Sequence, residues 1–438
     1  MAKREKFSGR IGFILACIGS AIGLGNVWMF SWRLGQYGGS AFLIPYFLFL
    51  AILVPIGLMG EFAIGRKMKG GSFKAYNVIL EKLPSGLRNI ISTIPTLGVV
   101  GIFLFYAIVT GWIIRYFFAY ITGKMNQVAN ISEYFNGFIG TSDSIIWHGI
   151  ALLIVVLIVS LGVSKGIEKI NKIMMPLLFI ILIGIMIRSL SLDGAMEGVK
   201  YLLIPKWDML LKPITWIMAL GQAFFTVSLN GCAMVVYGSY LDEEVDIVNA
   251  TKQIIVFDTI AALLSAFVII PAAFAFGLDP QAGPTLLFIT VPSIFSSMPG
   301  GTIFGILFFA GIIFAAVSSA INMLEVPVEV LENNFNISRK KAAIGVTIIV
   351  FILGIPLDLN MNLFGMVADI SSVYIAPLGA VIGAICIYWI YGTKNILPEI
   401  NQGASKKQGK IFELAAKYFF VPFSILILVL GMLLGGIG

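Results

Sequence analysis

The chain has 438 residues, of which 59% are hydrophobic and 12% charged, with a net charge of +7 and a mean hydropathy of +0.98. A soluble domain carries about 25% charged residues, so this composition excludes a soluble globular protein and indicates an integral membrane protein. The basic residues are spread over several loops rather than gathered in one patch, which argues against nucleic acid as a partner and leaves the lipid bilayer as the expected surroundings.

Apolar runs long enough to cross a membrane follow one another along the chain. About 18 apolar residues suffice for one helical crossing, and eleven such runs are present. They lie near residues 12–36, 40–64, 93–121, 146–163, 168–187, 213–238, 251–277, 302–331, 342–357, 365–392 and 418–437. The sequence therefore predicts an all-α membrane protein with eleven transmembrane helices.

The basic residues predict how the chain is oriented in the membrane. Most of the 29 lysines and arginines fall at the N-terminus, including Lys3 and Arg4, and in the loops after predicted helices 2, 4, 6, 8 and 10. Positively charged loops stay on the cytoplasmic side. We therefore expect a cytoplasmic N-terminus and, after eleven crossings, an extracytoplasmic C-terminus, in a bacterial-type cytoplasmic (inner) membrane.

Two of the predicted helices are interrupted near their centres. The stretch IGSAIGLGNVWMF, residues 18–30, places three glycines with Ser20 and Asn26 in helix 1. Glycine weakens a helix interior by about 1 kcal/mol relative to alanine, and unpaired backbone groups are costly in hydrocarbon. The corresponding break in helix 6 contains Thr226, Ser228, Asn230 and Gly231. Breaks five helices apart predict a polar cavity between inverted repeats, formed by helices 1–5 and 6–10.

A broken membrane helix can bind ions of both signs. The N-terminal end of a half-helix offers free amides to an anion, and freed carbonyl groups can hold a cation or an ammonium group. A zwitterion accompanied by sodium needs both kinds of partner. The alternative is close helix packing, because Gly19 and Gly23 also form a G-x-x-x-G pattern.

Four motifs in chain order resemble the neurotransmitter:sodium symporter family, whose bacterial members carry amino acids. They are GSAIGLGNVW in helix 1, QYGGSAFLIPY entering helix 2, GQAFFTVSL in helix 6 and FAAVSSAINMLE in helix 8. The resemblance extends from Gly9 to about Gly392. It implies the leucine-transporter fold with two inverted five-helix repeats, sodium-driven uptake and alternating access around a midplane site.

The resemblance also implies two sodium sites and a substrate site. The first sodium would be bound by the Ala21 carbonyl, Asn26, Thr226 and Asp258. The second would be bound by the carbonyls of Gly19, Ile22 and Ala315 and the hydroxyls of Ser318 and Ser319, although serines in helices also bond to the preceding turn. The implied substrate-binding residues are Ala21, Leu24, Gly25, Ile102, Tyr106, Phe225, Thr226, Ser228, Gly231, Ser319 and Met323.

Asp258 is the first departure from the family pattern. An asparagine commonly occupies this position, and Ala262, one turn later, replaces the serine or glutamate associated with chloride binding or its substitute. A carboxylate in a transmembrane helix is a functional hypothesis by default. We expect Asp258 to supply the charge that chloride otherwise supplies, so that transport needs no chloride. The alternative is a protonated side chain in a packing hydrogen bond.

Further departures concern the gates and the pocket. Met29 replaces an arginine that pairs with an aspartate matching Asp369, so Arg33 substitutes for it or the gate closes by apolar contact. Gly231 replaces an aromatic residue, which favours a large hydrophobic L-amino acid, either aromatic or flexible and aliphatic. The spacing of Gly166 and Pro176 in helix 5 matches a motif used for local unwinding, although a static kink is the alternative.

The remaining polar residues lie near helix ends. Glu61 and Glu325 are expected to serve gating or to pair locally with basic residues, and His148, the only histidine, is expected to be solvated. No nucleophile lies beside a base, so we expect no enzyme activity.

The predicted domains are a transporter core at 1–392, with repeats at about 12–187 and 213–392, a cytoplasmic linker at 393–417 and an eleventh helix at 418–438. The sequence predicts a sodium-coupled symporter that imports a neutral hydrophobic L-amino acid, aromatic or large and aliphatic. A proton-coupled or exchange carrier of the same fold and a non-transporting ligand sensor are the alternatives, and the oligomeric state is unknown from sequence.

Overall fold

In the computed structural model, residues 5–279 and 283–436 are described, and every regular element among them is helical. Lys3 and Arg4 lie outside the described residues, as do residues 437 and 438 of the predicted eleventh helix. The long helices are α1a (Arg10–Ala21), α1b (Gly25–Gln36), α2 (Ser40–Met68), α3 (Ser85–Ile121), α4 (Ser142–Ser160), α5 (Val163–Leu190), α6a (Pro213–Thr226), α6b (Ala233–Ser239), α7 (Ile247–Ala275), α8 (Gly301–Phe335), α9 (Arg339–Leu359), α10 (Met361–Asn401) and α11 (Lys410–Leu434).

These helices lie where the eleven apolar runs predict them. In the described part of the chain, nine are long and apolar enough to cross a membrane, and a tenth crossing is obtained if α1a and α1b are taken together. The axes of that pair are bent by 53° at the break. The sixth predicted crossing is divided into α6a with 14 residues and α6b with seven, neither of which reaches membrane length alone.

The two faces of the helix assembly are distinguished by the ends of α1. The N-terminal face carries the start of α1a and the connections that follow α2, α4, α6b, α8 and α10. The opposite face carries the connections that follow α1b, α3, α5, α7 and α9. Short helices at Ile131–Asn136, Ala195–Leu203 and Thr290–Ser297 lie in the long connections of the opposite face.

The predicted linker at 393–417 is mostly helical. Helix α10 continues through it to Asn401, and α11 begins at Lys410. Arg66 on α2 is buried and donates from Nε to a Glu399 carboxylate oxygen at 2.6 Å and from Nη1 to the Val245 carbonyl at 2.8 Å. The end of α10 is thereby fixed to the N-terminal face, and residues 402–409 are the non-helical part of the predicted linker.

Candidate functional site

The break in the first helix exposes backbone groups in the protein interior. Helix α1a ends at Ala21, and Ile22 has an extended backbone with φ −75° and ψ 99°. The Gly23 amide donates to the Asn26 side-chain oxygen at 3.2 Å, and the Leu24 amide donates to the Tyr106 hydroxyl at 3.3 Å. Asn26 is fully buried. The break is therefore stabilised by polar side chains rather than by a continuous helix.

The break in the sixth helix covers residues 227–232 between α6a and α6b. Ser228 adopts a left-handed conformation with φ 56°, which is uncommon for a residue with a side chain. Its hydroxyl donates to the Ser20 carbonyl at 3.1 Å, which joins the two breaks directly. The Asn230 side-chain oxygen accepts hydrogen bonds from the amides of Cys232 and Ala233 at 3.1 and 2.9 Å, which satisfies two backbone amides at the start of α6b.

Asn26, Thr226 and Asp258 form a buried polar cluster from three helices. The Asn26 side-chain nitrogen donates to the Thr226 hydroxyl at 2.9 Å and to Asp258 Oδ1 at 2.8 Å. The Thr226 hydroxyl donates to Asp258 Oδ2 at 2.9 Å. Asp258 is fully buried. Three of the four residues that the sequence assigns to the first sodium site are thus in mutual contact.

Ser319 on α8 faces the carbonyls released by the first break. Its hydroxyl lies 3.3 Å from the carbonyls of Gly19 and Ser20 and 3.4 Å from that of Ile22. The neighbouring Ser318 hydroxyl donates to the Ala315 carbonyl at 3.0 Å. This is the bond to the preceding turn that serines in helices commonly form. Of the five oxygens assigned to the second sodium site, those of Ser319, Gly19 and Ile22 therefore lie together where the first break meets α8.

The residues predicted to contact a substrate differ in what surrounds them. Tyr106 and Ile102 are buried on α3, and the Phe225 ring packs on Gly25, where an added Cβ would lie 3.0 Å from the ring. Met323 on α8 is half-buried. Gly231 instead faces α10, because an added Cβ would collide with the Gly379 carbonyl oxygen.

Three polar residues at the breaks lie outside the predicted site. Glu61 is buried, and instead of pairing with a basic residue its carboxylate accepts a hydrogen bond from the Gly231 amide at 2.9 Å. The Tyr76 hydroxyl donates to the Gly231 carbonyl at 2.6 Å, and Ser20 contributes the carbonyl that links both breaks. Glu61 can be singled out from the sequence, because an acidic residue is unusual within an apolar run. No sequence pattern indicates that the Ser20 carbonyl accepts a hydrogen bond.

Of the two alternatives for the outer gate, an ion pair between Arg33 and Asp369 is not present. Asp369 is exposed, and none of the ion pairs among residues 5–279 and 283–436 includes it. Arg33 is buried, and its Nη1 lies 3.4 Å from the Gln222 side-chain oxygen. Met29 is half-buried beside Trp28. Arg33 therefore does not substitute for the missing arginine in this conformation.

The unwinding motif of the fifth helix is wound in this conformation. Residues Val163–Glu168 form a π-helical turn that continues into an α-helix containing Pro176. A Cβ at Gly166 would collide with the Ile158 carbonyl oxygen at the end of α4. Close packing thus accounts for Gly166 here.

The other polar residues have buried partners. The expectation of a solvated His148 is wrong, because its ring is fully buried and its Nδ1 lies 2.8 Å from Asp358 Oδ2. Glu325 forms the local basic pair that the sequence allows, with Arg339, and accepts a hydrogen bond from the Tyr240 hydroxyl at 2.6 Å.

The donor set defines the class of protein. Within the described residues, no group of three or more His, Cys, Asp and Glu side chains could hold a metal ion. The two breaks instead present carbonyls, hydroxyls, an amide and one carboxylate, which are oxygen ligands suited to hard cations. Such a polar centre between two broken helices is characteristic of a helical membrane transporter.

Comparisons with known proteins identify the family. The model of the Sodium:neurotransmitter symporter family matches residues 4–136 and 127–434. The chain is 35% identical to the sodium-dependent transporter YhdH of Bacillus subtilis over 98% of each chain. It is 31% identical to a sodium-dependent transporter of Methanocaldococcus jannaschii, over 93% of this chain and 86% of the other.

A solved structure is similar along its whole length. The crystal structure of MhsT in complex with L-phenylalanine has a TM-score of 0.87 and 38% sequence identity, covering 98% of this chain and 100% of that chain. The protein belongs to the sodium:neurotransmitter symporter family, as its motifs predict. It is a multi-pass, sodium-dependent transporter with a small-molecule substrate, and it is not an enzyme.

Proposed function

We propose that the protein imports a neutral hydrophobic L-amino acid together with sodium by alternating access. The observation that carries this proposal is the meeting of the two helix breaks, where Ser228 donates to the Ser20 carbonyl within reach of Asn26, Thr226, Asp258 and Ser319. Amides and carbonyls of opposite polarity are available at one buried centre. A zwitterion and a cation require such a pair of environments.

The first sodium ion binds at the cluster of Asn26, Thr226 and Asp258, with the Ala21 carbonyl as a further ligand. The hydrogen-bonded contacts of 2.8–2.9 Å support this assignment, because one ion could replace the proton donors that hold these oxygens together. Asn26 would then turn its amide oxygen rather than its nitrogen toward the cation. The charge of Asp258 would balance sodium, so transport would proceed without chloride.

The second sodium ion binds at the seam between α1a and α8. The carbonyls of Gly19, Ile22 and Ala315 and the hydroxyls of Ser318 and Ser319 supply five neutral oxygens, and the contacts of 3.0–3.4 Å support their convergence. A cation bound there would attract several carbonyl dipoles at once. Its binding would favour the conformation in which α1a rests against α8.

The substrate binds between these ions and helices α3 and α6a. Its carboxylate meets the amides of Leu24 and Gly25 and the Tyr106 hydroxyl. Its ammonium group meets the carbonyls of Ala21, Phe225 and Thr226 and the Ser228 hydroxyl. Ile102, Phe225, Ser319 and Met323 line the side-chain pocket, whereas Gly231 faces α10. The phenylalanine bound in the similar structure favours an aromatic substrate, and leucine and methionine are the aliphatic alternatives.

Residues 1–392 form the transport core, with repeats at about 12–187 and 213–392, and α11 is peripheral to it. The N-terminal face is cytoplasmic, and the membrane is the bacterial-type cytoplasmic membrane. The excess of lysine and arginine in the connections of the N-terminal face supports this orientation. The opposite face is therefore the outer face, through which the substrate enters.

The test is uptake of labelled phenylalanine, leucine and methionine by vesicles that contain the purified protein. We expect accumulation only with an inward sodium gradient, and to the same extent in chloride and in gluconate. Accumulation driven by a proton gradient or by exchange without sodium would favour the alternative carrier. Sodium-dependent binding without accumulation would favour a ligand sensor.

A matched pair of serine variants links uptake to the second sodium site. Ser319→Ala removes a hydroxyl that faces three carbonyls, whereas Ser424→Ala removes a buried hydroxyl that bonds only within α11. Hydrogen bonds to charged groups contribute about 1.5–3 kcal/mol, so Ser319→Ala should weaken sodium activation about tenfold or more. Ser424→Ala should leave it unchanged. Equal effects of the two substitutions would contradict the assignment.

A further inference from the structure

Four aromatic rings from separate elements meet between the helix breaks and the outer face. We define the outer aromatic cluster as Trp28, Trp112, Phe288 and Phe364. The Trp112 ring stacks on Phe364 of α10 with centroids 5.4 Å apart and meets the edge of Phe288 at 5.8 Å. Phe288, in the connection between α7 and α8, contacts Trp28 of α1b at 6.5 Å. The cluster therefore joins α1b, α3, α10 and the connection before α8.

The cluster lies directly outward of the proposed substrate site. Trp28 follows Asn26 by two residues, and Trp112 follows Tyr106 by six residues, or roughly 9 Å along α3. Trp112 is 5% exposed and Phe288 is 1% exposed, so little water reaches these two rings, whereas Trp28 and Phe364 are half-buried. Since none of the ion pairs among the described residues includes Asp369, we assign closure of the outer path to these ring contacts.

A buried chain of hydrogen bonds fixes the Trp112 ring. The Trp112 Nε1 donates to the Ser144 hydroxyl at 2.8 Å, and the Ser144 hydroxyl donates to Asp358 Oδ1. Because its single proton goes to Asp358, the Ser144 hydroxyl can act only as an acceptor toward Trp112. Asp358 Oδ2 in turn contacts His148 Nδ1 at 2.8 Å.

These hydrogen bonds connect three tightly packed helices, α3, α4 and α9. A Cβ at Gly111 on α3 would lie 2.6 Å from the His148 backbone nitrogen, and one at Gly354 on α9 would collide with the His148 ring. Ser144, His148 and Asp358 are fully buried. A carboxylate at this depth needs its partners, so a change in His148 or Asp358 alters how Ser144 is held and, through Ser144, how the Trp112 ring is held.

We infer that Ser144, Asp358 and His148 are positioning residues that hold Trp112 in the outer aromatic cluster and so stabilise the outward-closed conformation. The inference rests on the proposed function and orientation. The three side chains touch neither the proposed substrate nor sodium. They act through the indole N–H, so their effect should disappear when that group is removed.

The test uses a reporter cysteine on the outer path. The three native cysteines are buried, so Met29→Cys gives one reactive thiol, whose modification by a membrane-impermeant thiol reagent is timed in sodium without amino acid. One buried hydrogen bond has a net contribution of about 1 kcal/mol, so Ser144→Ala should accelerate modification about fivefold. Ser144→Thr, which keeps the hydroxyl, should stay near the parent rate.

A double-mutant cycle separates positioning from general destabilisation. Trp112→Phe keeps a ring but removes the donor, and it should accelerate modification to a similar extent. Ser144→Ala should then add nothing in the Trp112→Phe background, because coupled residues are not additive. An equal acceleration in both backgrounds, or none in either, would overturn the inference. If the purified Ser144→Ala protein is not monodisperse, the double-mutant cycle with Trp112→Phe is measured with His148→Gln instead.

Failure of the proposed function has a different signature. Phenylalanine with sodium should slow modification of the parent Met29→Cys protein, because substrate closes the outer path. If it does not, the proposed substrate or coupling is wrong. The cycle measured without amino acid would still report whether Ser144 acts through Trp112.

Discussion

Asp258 is the one carboxylate in the cluster that joins the two helix breaks. Its two oxygens contact Asn26 and Thr226 at 2.8 and 2.9 Å in a fully buried position. An asparagine could keep one of these contacts but would carry no charge. Replacing Asp258 by asparagine therefore distinguishes a charge-balancing role from a packing role.

We predict that Asp258→Asn lowers uptake in chloride-free medium about tenfold or more, since hydrogen bonds to charged groups contribute about 1.5–3 kcal/mol. Chloride should restore part of the loss if the missing charge is the cause. The measurement is sodium-driven uptake by vesicles in chloride and in gluconate. Unimpaired uptake that is also insensitive to chloride would leave Asp258 as a packing residue only.

Glycine is required at position 231 by the backbone conformation and by the close approach of Gly379. Its φ of +71° is unfavourable for other residues, and an added Cβ would collide with the Gly379 carbonyl of α10. We expect Gly231→Ala to destabilise the protein by roughly 1–3 kcal/mol, the cost typical of a strained backbone position. Thermal unfolding of the purified protein measures this.

Gly184→Ala is the control for that substitution. Gly184 is exposed within α5, and an added Cβ would meet no atom within 4 Å. Its replacement should leave the unfolding temperature unchanged or slightly raised, since alanine is the better helix former. If both variants unfolded at the parent temperature, the close approach of α10 to the sixth-helix break would not be structurally important.

At the scale of elements, Asp246 joins the start of α7 to the segment between α10 and α11. Its carboxylate accepts hydrogen bonds from the Asn249 amide at 2.8 Å and from the amide and hydroxyl of Ser405 at 2.8 and 2.7 Å. Burial raises the pKa of Asp246, but the bonds from Ser405 and Asn249 outweigh it, so the pKa is lowered overall. The charged form is thus favoured in the folded protein.

We predict that Asp246→Ala destabilises the protein by about 1 kcal/mol at neutral pH, the usual cost of losing a helix N-cap. A lowered folded-state pKa stabilises the protein above the unfolded pKa of about 3.9 and loses that effect as the pH falls through the folded value. The difference in unfolding free energy between the parent and Asp246→Ala should therefore shrink below about pH 4. Denaturant unfolding at several pH values measures it. Asp246→Asn keeps a capping oxygen and should lose less stability. If Asp246→Asn lowered the free energy of unfolding as much as Asp246→Ala does, the capping role would be refuted.

The apolar runs of the sequence and the polar breaks within them predict where the helices lie, but they do not predict the contacts between helices. The eleven apolar runs and the breaks in the first and sixth helices correspond to the helices of the structure. The apolar pattern does not predict the full extent of α10, because Thr393–Asn401 is not apolar and is held by Arg66 through long-range contacts. His148 was misjudged for the same reason, because its partner Asp358 lies on α9, far along the chain.

The candidate site was predictable to the extent that side chains form it. Asn26, Thr226 and Asp258 could be assigned from the family resemblance, and the structure brings them together. The Ser20 carbonyl, the Glu61 carboxylate on Gly231 and the outer aromatic cluster depend on how helices pack. Such contacts leave no periodic signal in one sequence.

At the scale of the whole molecule, the distribution of charge determines which face meets the cytoplasm. The connections after α2 and α10 on the N-terminal face contain exposed lysines, and the exposed Lys340 and Lys341 lie in the first turn of α9 on the same face. The long connection between α3 and α4 on the opposite face has Lys124 as its only basic residue. Basic loops are retained on the cytoplasmic side. In the proposed orientation, the outer aromatic cluster faces the substrate supply, as the proposed import requires.

We predict that a membrane-impermeant thiol reagent labels Ala129→Cys in intact cells but labels Lys407→Cys only after the membrane is permeabilised. Both positions are exposed and lie in connections on opposite faces, and the three native cysteines are buried, so the background should be low. Permeabilised cells, in which both variants should react, control for expression and for the reactivity of each thiol. The reverse pattern in intact cells would invert the assigned orientation, and the outer aromatic cluster would then close the cytoplasmic path.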